Sequence, residues 1–182
     1  MNFLELITKR QSVREYSNRE VEIEKIEKCL EAARLAPSAS NSQPWKLILV
    51  NDADLVKKVA AATFSSMVSF NKFTLQAPAL LVMVIERPRV ITQVGGFLKN
   101  REFPLIDIGI AAEHFCLQAA ELGLGTCMMG WFGEKAIKKL LGIPKNKRLG
   151  LIISLGYAPE EYPLRQKIRK EKTLVQSYNK YE

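Results

Sequence analysis

Residues 105–122 constrain the fold more than any other stretch, because they carry a helical pattern in which Ile106, Ile108, Ile110, Phe115, Cys116, Leu117 and Leu122 spread around more than one face. A helix that is apolar on most sides must be buried on most sides. In a chain of 182 residues this leaves two compatible placements, a central core helix or a helix packed against a second subunit. Gly123 and Gly125 end it.

The remaining elements are arranged around that helix. Asn2 caps a short N-terminal helix whose Phe3, Leu4, Leu6 and Ile7 are expected to point inward. Residues 22–36 form a second helix, with Ile23, Ile26, Leu30 and Ala33 on one face. Residues 45–50 read as a strand, and Asp52 caps a helix through Leu55, Val56 and Val59. Gln76-Ala77-Pro78 introduces the apolar strand 79–86. Residues 87–103 hold Arg87, Arg89 and the Gly95-Gly96 pair, and are expected to form a loop or lid with about one helical turn. Beyond the apolar helix come a short strand at 126–129, a helix at 133–141 closed by Gly142, and a buried strand at 149–155. The tail, 157–182, carries Pro159 and Pro163 and too few apolar residues to stand alone.

The apolar runs 79–85 and 149–155 are far too short for a bilayer and suit buried strands. Strands and helices alternate imperfectly, so the chain is expected to be one α+β domain with a central mixed sheet flanked by helices. Gly123-Leu124-Gly125 follows a helix and opens a strand, the reverse of the dinucleotide fingerprint, and there is no Walker loop.

The net charge of +8 favours anionic partners without choosing among them. The densest basic run, residues 165–172, has no aromatic platform nearby and no zinc-finger or RNP-like motif, so neither nucleic acid nor membrane is the expected partner. It reads either as a solvated face or as a place where one or two cations capture a phosphate. Cys29, Cys116 and Cys127 are isolated, and His114 is the only histidine. That excludes multi-histidine metal sites and gives a cysteine nucleophile one possible partner at most. Core thiols and no metal are the expectation. The first ten residues place their charges within and after the apolar positions, unlike a signal peptide, so a cytoplasmic protein is expected.

Two polar segments remain. Pro37 ends the second helix, and Ser38, Ser40, Asn41 and Ser42 then gather hydroxyls, an amide and freed backbone N–H groups. Arg10 and Arg14 lie four apart at the end of the first helix with Ser12 between them; spacing alone gives only two exposed arginines.

Taken as a pair, Arg10-Gln11-Ser12-Val13-Arg14 and the stretch from Ala36 to Trp45 resemble the N-terminal signature of the nitroreductase family, flavoproteins that hold FMN at a dimer interface. The resemblance implies that Arg10 and Ser12 meet the FMN phosphate and that Arg14 approaches the pyrimidine edge and supports the reduced flavin. It brings Pro37, Ser38 and Asn41 from the partner subunit, and Gln11 and Ala39 join the candidate set from within the same motifs. Cys127-Met128-Met129-Gly130 falls where the family offers backbone N–H groups to flavin N5, which selects Met128, Met129 and Gly130. Lys167 and Arg169 match a C-terminal Lys-x-Arg pair that completes the phosphate site. Asn71 reads as solvent-exposed, with a flavin contact as the alternative.

The implied protein is a homodimer whose tail packs on the partner subunit. It uses NAD(P)H to reduce nitroaromatic, quinone or similar electron-poor acceptors by a ping-pong mechanism, with no side chain acting as acid or base. Dehalogenation or ene reduction on the same scaffold is the enzymatic alternative, and a non-enzymatic basic binding module is the alternative outside catalysis. Two departures stand out: the chain is short for the family, and Met128-Met129-Gly130 replaces the acidic residue and Gly of some relatives.

Overall fold

The structure, a computed structural model, describes residues 1–88 and 90–181, so Arg89 and Glu182 lie outside the described residues. In chain order the elements are α1 (Phe3–Lys9), α2 (Ile23–Arg34), β1 (Trp45–Val50), α3 (Ala53–Ala61), β2 (Ala79–Ile85), α4 (Val90–Lys99), α5 (Phe103–Glu121), β3 (Gly125–Met129), α6 (Glu134–Leu140) and β4 (Arg148–Gly156). Short 3-10 turns occupy Ala39–Asn41, Lys72–Gln76 and Lys172–Leu174.

The strands form one sheet in the order β1-β2-β4-β3, and every named pair is antiparallel. The α+β class stands, but the mixed character expected of the sheet shrinks to one parallel bridge between Ser12 and Thr126. The period of two along β2 explains its wholly apolar sequence. Ala79, Leu81 and Met83 join Ile26, Cys29, Ile108 and Phe115 on the α2/α5 side, while Leu80, Val82 and Val84 join Val56, Val59 and Ile137 on the α3/α6 side. The sheet is thus the middle of three layers.

On α5, Ile108, Ala111, Ala112, Phe115, Cys116 and Ala119 are buried against the sheet and α2, whereas Ile106 stays exposed. The helix ends at Gly123, whose φ of 78° lets the Leu124 N–H return to the Ala119 carbonyl at 2.8 Å.

Two local expectations need correction. Residues 87–103 hold the ten-residue helix α4 and the start of α5, instead of a loop with one turn. Glycine inside a helix costs only about 1 kcal/mol, and Gly96 has its own reason to be there: a Cβ would lie 2.7 Å from the Arg101 carbonyl as the chain turns back. Nor does α1 bury its apolar side, since Phe3 is 65% and Leu4 71% exposed, with Leu6 and Ile7 half-buried. Among the described residues, no helix is long and apolar enough to cross a membrane.

Candidate functional site

The capping box of Asn2 and Glu5 fixes the start of α1, and Arg10 ends it in an extended conformation. From there the chain runs beside β3. Val13 N–H donates to the Thr126 carbonyl at 2.9 Å, and the Val13 side chain fills the space a Cβ at Gly125 would need. Tyr16 locks the far end, its buried hydroxyl 2.7 Å from Ser154 Oγ and donating to the Val13 carbonyl at 3.0 Å; burial pushes its phenol well above the ordinary range. The Arg10–Arg14 stretch is therefore held on a rigid edge.

Arg10 lies at the centre of a cationic cluster. Its Nη2 is 2.9 Å from Glu113 Oε2 on α5, its carbonyl accepts Lys167 Nζ, and its Nε is buried with no hydrogen-bond partner. Lys167 is shifted below the ordinary lysine value by desolvation and then by the charges of Arg10 and Arg169. Gln11 brings the tail to this place: its Nε2 donates to the Pro163 carbonyl and its Oε1 accepts from Arg165 N–H, both at 3.1 Å. Gln11 therefore spends its amide on the tail that carries Lys167. Arg169 Nη1 donates to the Ile168 carbonyl at 2.8 Å.

Arg14 is exposed, and its backbone N–H donates to Tyr162 Oη at 3.1 Å. Ser12, Arg14 and Arg10 all act on Cys127, whose thiol is raised first by burial and drawn back by the two charges and the Ser12 hydroxyl. Next to Cys127, Met128 is half-buried, Met129 is buried and Gly130 emerges exposed where β3 ends. A cleft of about 270 Å³ opens along this edge between Arg10, Val13, Gly125, Thr126 and Tyr162.

Asn71 corrects the expectation of an exposed side chain. It is 4% exposed, and its Nδ2 donates to the Thr63 carbonyl at 3.1 Å and the Trp131 carbonyl at 2.9 Å. It pins the backbone one residue past Gly130.

The Pro37–Asn41 loop rests on a different wall, formed by α4 and α5. Ala39 N–H donates to Asp107 Oδ1 at 3.1 Å, and Ser42 Oγ is 2.8 Å from Thr92 Oγ1. Ser38 Oγ accepts from Gln43 N–H at 2.9 Å, and Asn41 Oδ1 accepts from Gln43 Nε2 at 2.8 Å. Ser40, Asn41 and Gln43 have φ of 51°, 50° and 47°, an arrangement that persists only when its surroundings hold it. Pro37 and Asn41 are exposed. Asp107 is only 3% exposed and its Oδ2 has no partner; burial raises its pKa and the Ala39 N–H lowers it. Sequence reasoning overlooked both Asp107 and Glu113. Their signal was being carboxylates inside an otherwise apolar helix.

The chain resembles known proteins in sequence and in fold. The model of the family described as "Nitroreductase family" matches residues 7–72 and 66–157, which together take in both motifs and the apolar helix. The chain belongs to the nitroreductase family. Among relatives of this nitroreductase-family chain, a protein of Archaeoglobus fulgidus named for NADH dehydrogenase and NAD(P)H nitroreductase is 36% identical over 167 residues, covering 87% of this chain and 86% of the relative. A nitroreductase family protein of Clostridium novyi superposes with a TM-score of 0.78 at 32% identity, covering 90% of each chain. An FMN-dependent nitroreductase of Clostridium difficile does so at 0.78 and 28%, covering 97% of this chain and 99% of the other.

The donor set fits a phosphate group. A buried Arg10 Nε without a partner, Lys167 with its ammonium partly desolvated and Arg169 nearby are the cations and N–H donors that such an anion takes.

Proposed function

We propose that the protein is an FMN-dependent oxidoreductase that draws electrons from NAD(P)H and passes them to nitroaromatic, quinone or similar electron-poor acceptors. The observation that carries this is Arg10: a half-buried guanidinium whose buried Nε is unused, next to two further cations, awaits an anion with several acceptor oxygens. The FMN-dependent name of one solved relative and the NAD(P)H names of the sequence relatives support the choice of FMN and of the electron donor.

Bound FMN supplies the hydride acceptor and donor, and the protein binds, orients and polarises it. Arg10, Ser12, Lys167 and Arg169 hold the phosphate. Arg14 would supply a positive charge to the pyrimidine edge and so favour the reduced anion. Met128, Met129 and Gly130 would offer backbone to N5, on a segment that Asn71 keeps in place by its grip on the Trp131 carbonyl. Donor and acceptor take turns in one place, which makes the kinetics ping-pong.

The second half of the site comes from another copy of the chain. Pro37, Ser38, Ala39 and Asn41 sit on an outward-facing loop. The exposed Phe3 and Leu4, a groove of about 690 Å³ between α1, α2 and α5, and the exposed Leu164 and Ile168 of the tail give a partner its seat. Where Gln11 and Arg10 do not hold it to its own chain, the tail packs on that partner. Buried free thiols at Cys29, Cys116 and Cys127 accord with a cytoplasmic setting.

The test is to purify the protein, release the cofactor and identify it. Non-covalent FMN in a dimer is expected; a colourless monomer, or one that takes no FMN on titration, would contradict the reading.

A further inference from the structure

Arginine–carboxylate pairs among the described residues differ in kind, and Arg19–Glu22 and Arg148–Glu102 are one-pronged contacts of exposed side chains at 2.8 and 3.0 Å. On the exposed turn of α2, Arg34 grips Glu31 with two nitrogens, at 2.6 and 2.7 Å. Arg10 meets Glu113 with one nitrogen only, at 2.9 Å, and its Nε remains buried and without a partner. The two-pronged grip is the geometry that a guanidinium and a carboxylate favour, since the planar fork matches both oxygens. The one-pronged contact at Arg10 leaves part of the fork unspent where water does not reach it, beside Lys167 and Arg169. Buried donors without partners are uncommon, and one in a cationic cluster points to an anion.

Glu113 itself stands on a rigid support. It projects from α5 between Ala112 and the buried Phe115 and Cys116, and it reaches Arg10 across 103 residues of sequence. The same carboxylate is the one negative charge among the groups that act on Lys167, where it opposes Arg10 and Arg169.

We propose that Glu113 is a positioning residue for the cofactor phosphate. It holds Arg10 by Nη2 so that Nε stays free for the phosphate oxygens, and it offsets the mutual repulsion of Arg10, Lys167 and Arg169 when no phosphate is present. The inference rests on the proposed phosphate role of Arg10. It predicts that truncating this acidic side chain weakens phosphate binding even though a negative charge leaves the site, the reverse of what charge counting gives.

The test titrates the apoprotein dimer with FMN, and with riboflavin as the probe lacking phosphate, while flavin fluorescence is followed. Glu113→Ala should loosen FMN about tenfold, the scale of coupling between side chains in contact, and leave riboflavin affinity unchanged. Glu113→Gln keeps an acceptor oxygen on the same stem and should bind FMN at least as tightly as the wild type. Glu113→Asp, one methylene short of Arg10, should behave like the alanine variant and repeats the comparison if that variant does not fold. Adding Glu113→Ala to Arg10→Ala should cost nothing more. FMN binding by Glu113→Ala equal to or tighter than wild type would overturn the proposal, as would an equal loss for riboflavin. If Arg10→Ala itself leaves FMN affinity unchanged, the phosphate assignment falls and takes this inference with it; a loosened Arg10→Ala beside an unaffected Glu113→Ala removes the role of Glu113 alone.

Discussion

The two halves of the proposed cofactor site are built by opposite means. At the Arg10 edge the work is done by charge: Lys167 and Arg169 of the tail and Glu113 of α5 gather about Arg10, on a segment locked by Tyr16 and Val13. At the Pro37–Asn41 loop it is done by backbone shape, with left-handed residues held by the Asp107 carboxylate and by Thr92. In the proposed site the first half lies within one chain, and the second, which faces outward, would gain its role against another copy. A charged cluster tolerates small displacements because Coulomb attraction falls off slowly, whereas a hydrogen-bonded loop in a costly conformation works in one geometry or not at all.

The largest effect is expected at the charged half. Arg10→Ala with Arg169→Ala should loosen FMN by at least about a hundredfold, each charge-assisted contact being among the stronger kinds of hydrogen bond; full flavin occupancy after dialysis would break the assignment. Arg14→Ala should keep FMN bound but slow its anaerobic reduction by NAD(P)H about tenfold, less than the loss of an enclosed anion-stabilising donor because Arg14 is exposed. An unchanged stopped-flow reduction rate would remove that role.

The loop half should respond differently. Asp107→Ala leaves the Ala39 N–H without its acceptor and should cost about 1–3 kcal/mol of stability, with FMN retention falling through the dimer. Asp107→Asn keeps an acceptor and removes a buried charge, so its unfolding midpoint in urea should stay at or above the wild-type value. Equal losses in the two variants would show that the carboxylate charge, and not the hydrogen bond, holds the loop.

The smallest effect is in pH. Lys167 in the folded protein loses its proton at a lower pH than an ordinary lysine, so below that pKa the folded state carries the cost of crowding it with Arg10 and Arg169, and the cost is relieved as pH rises through it. A phosphate needs the protonated form. FMN affinity should therefore fall several-fold on the alkaline side, earlier than ordinary lysine titration would give, and Lys167→Arg, which stays charged, should abolish the fall.

The same contrast explains how much was legible in the sequence. The apolar helix and the runs of β2 and β4 announce themselves through periodicity, and the structure places these elements within a residue or two; the Arg10–Arg14 motif is marked only by its family resemblance. What escaped was decided by contacts distant in sequence. Asp107 meets Ala39 across 68 residues and Asn71 meets Trp131 across 60, and no local pattern names either partner. The Gly95-Gly96 pair concealed α4, because glycine reads as a breaker until the close approach of Arg101 supplies its reason. The inward face predicted for α1 has too little of its own chain to pack on.

The most direct measurement is an anaerobic titration of the purified protein with NADH and, separately, NADPH, followed in the visible spectrum. The account predicts a flavin band that is bleached by at least one of the two and restored by a nitroaromatic or quinone added after the nicotinamide has been removed. A protein that holds no FMN, or whose band neither nicotinamide bleaches, would contradict it.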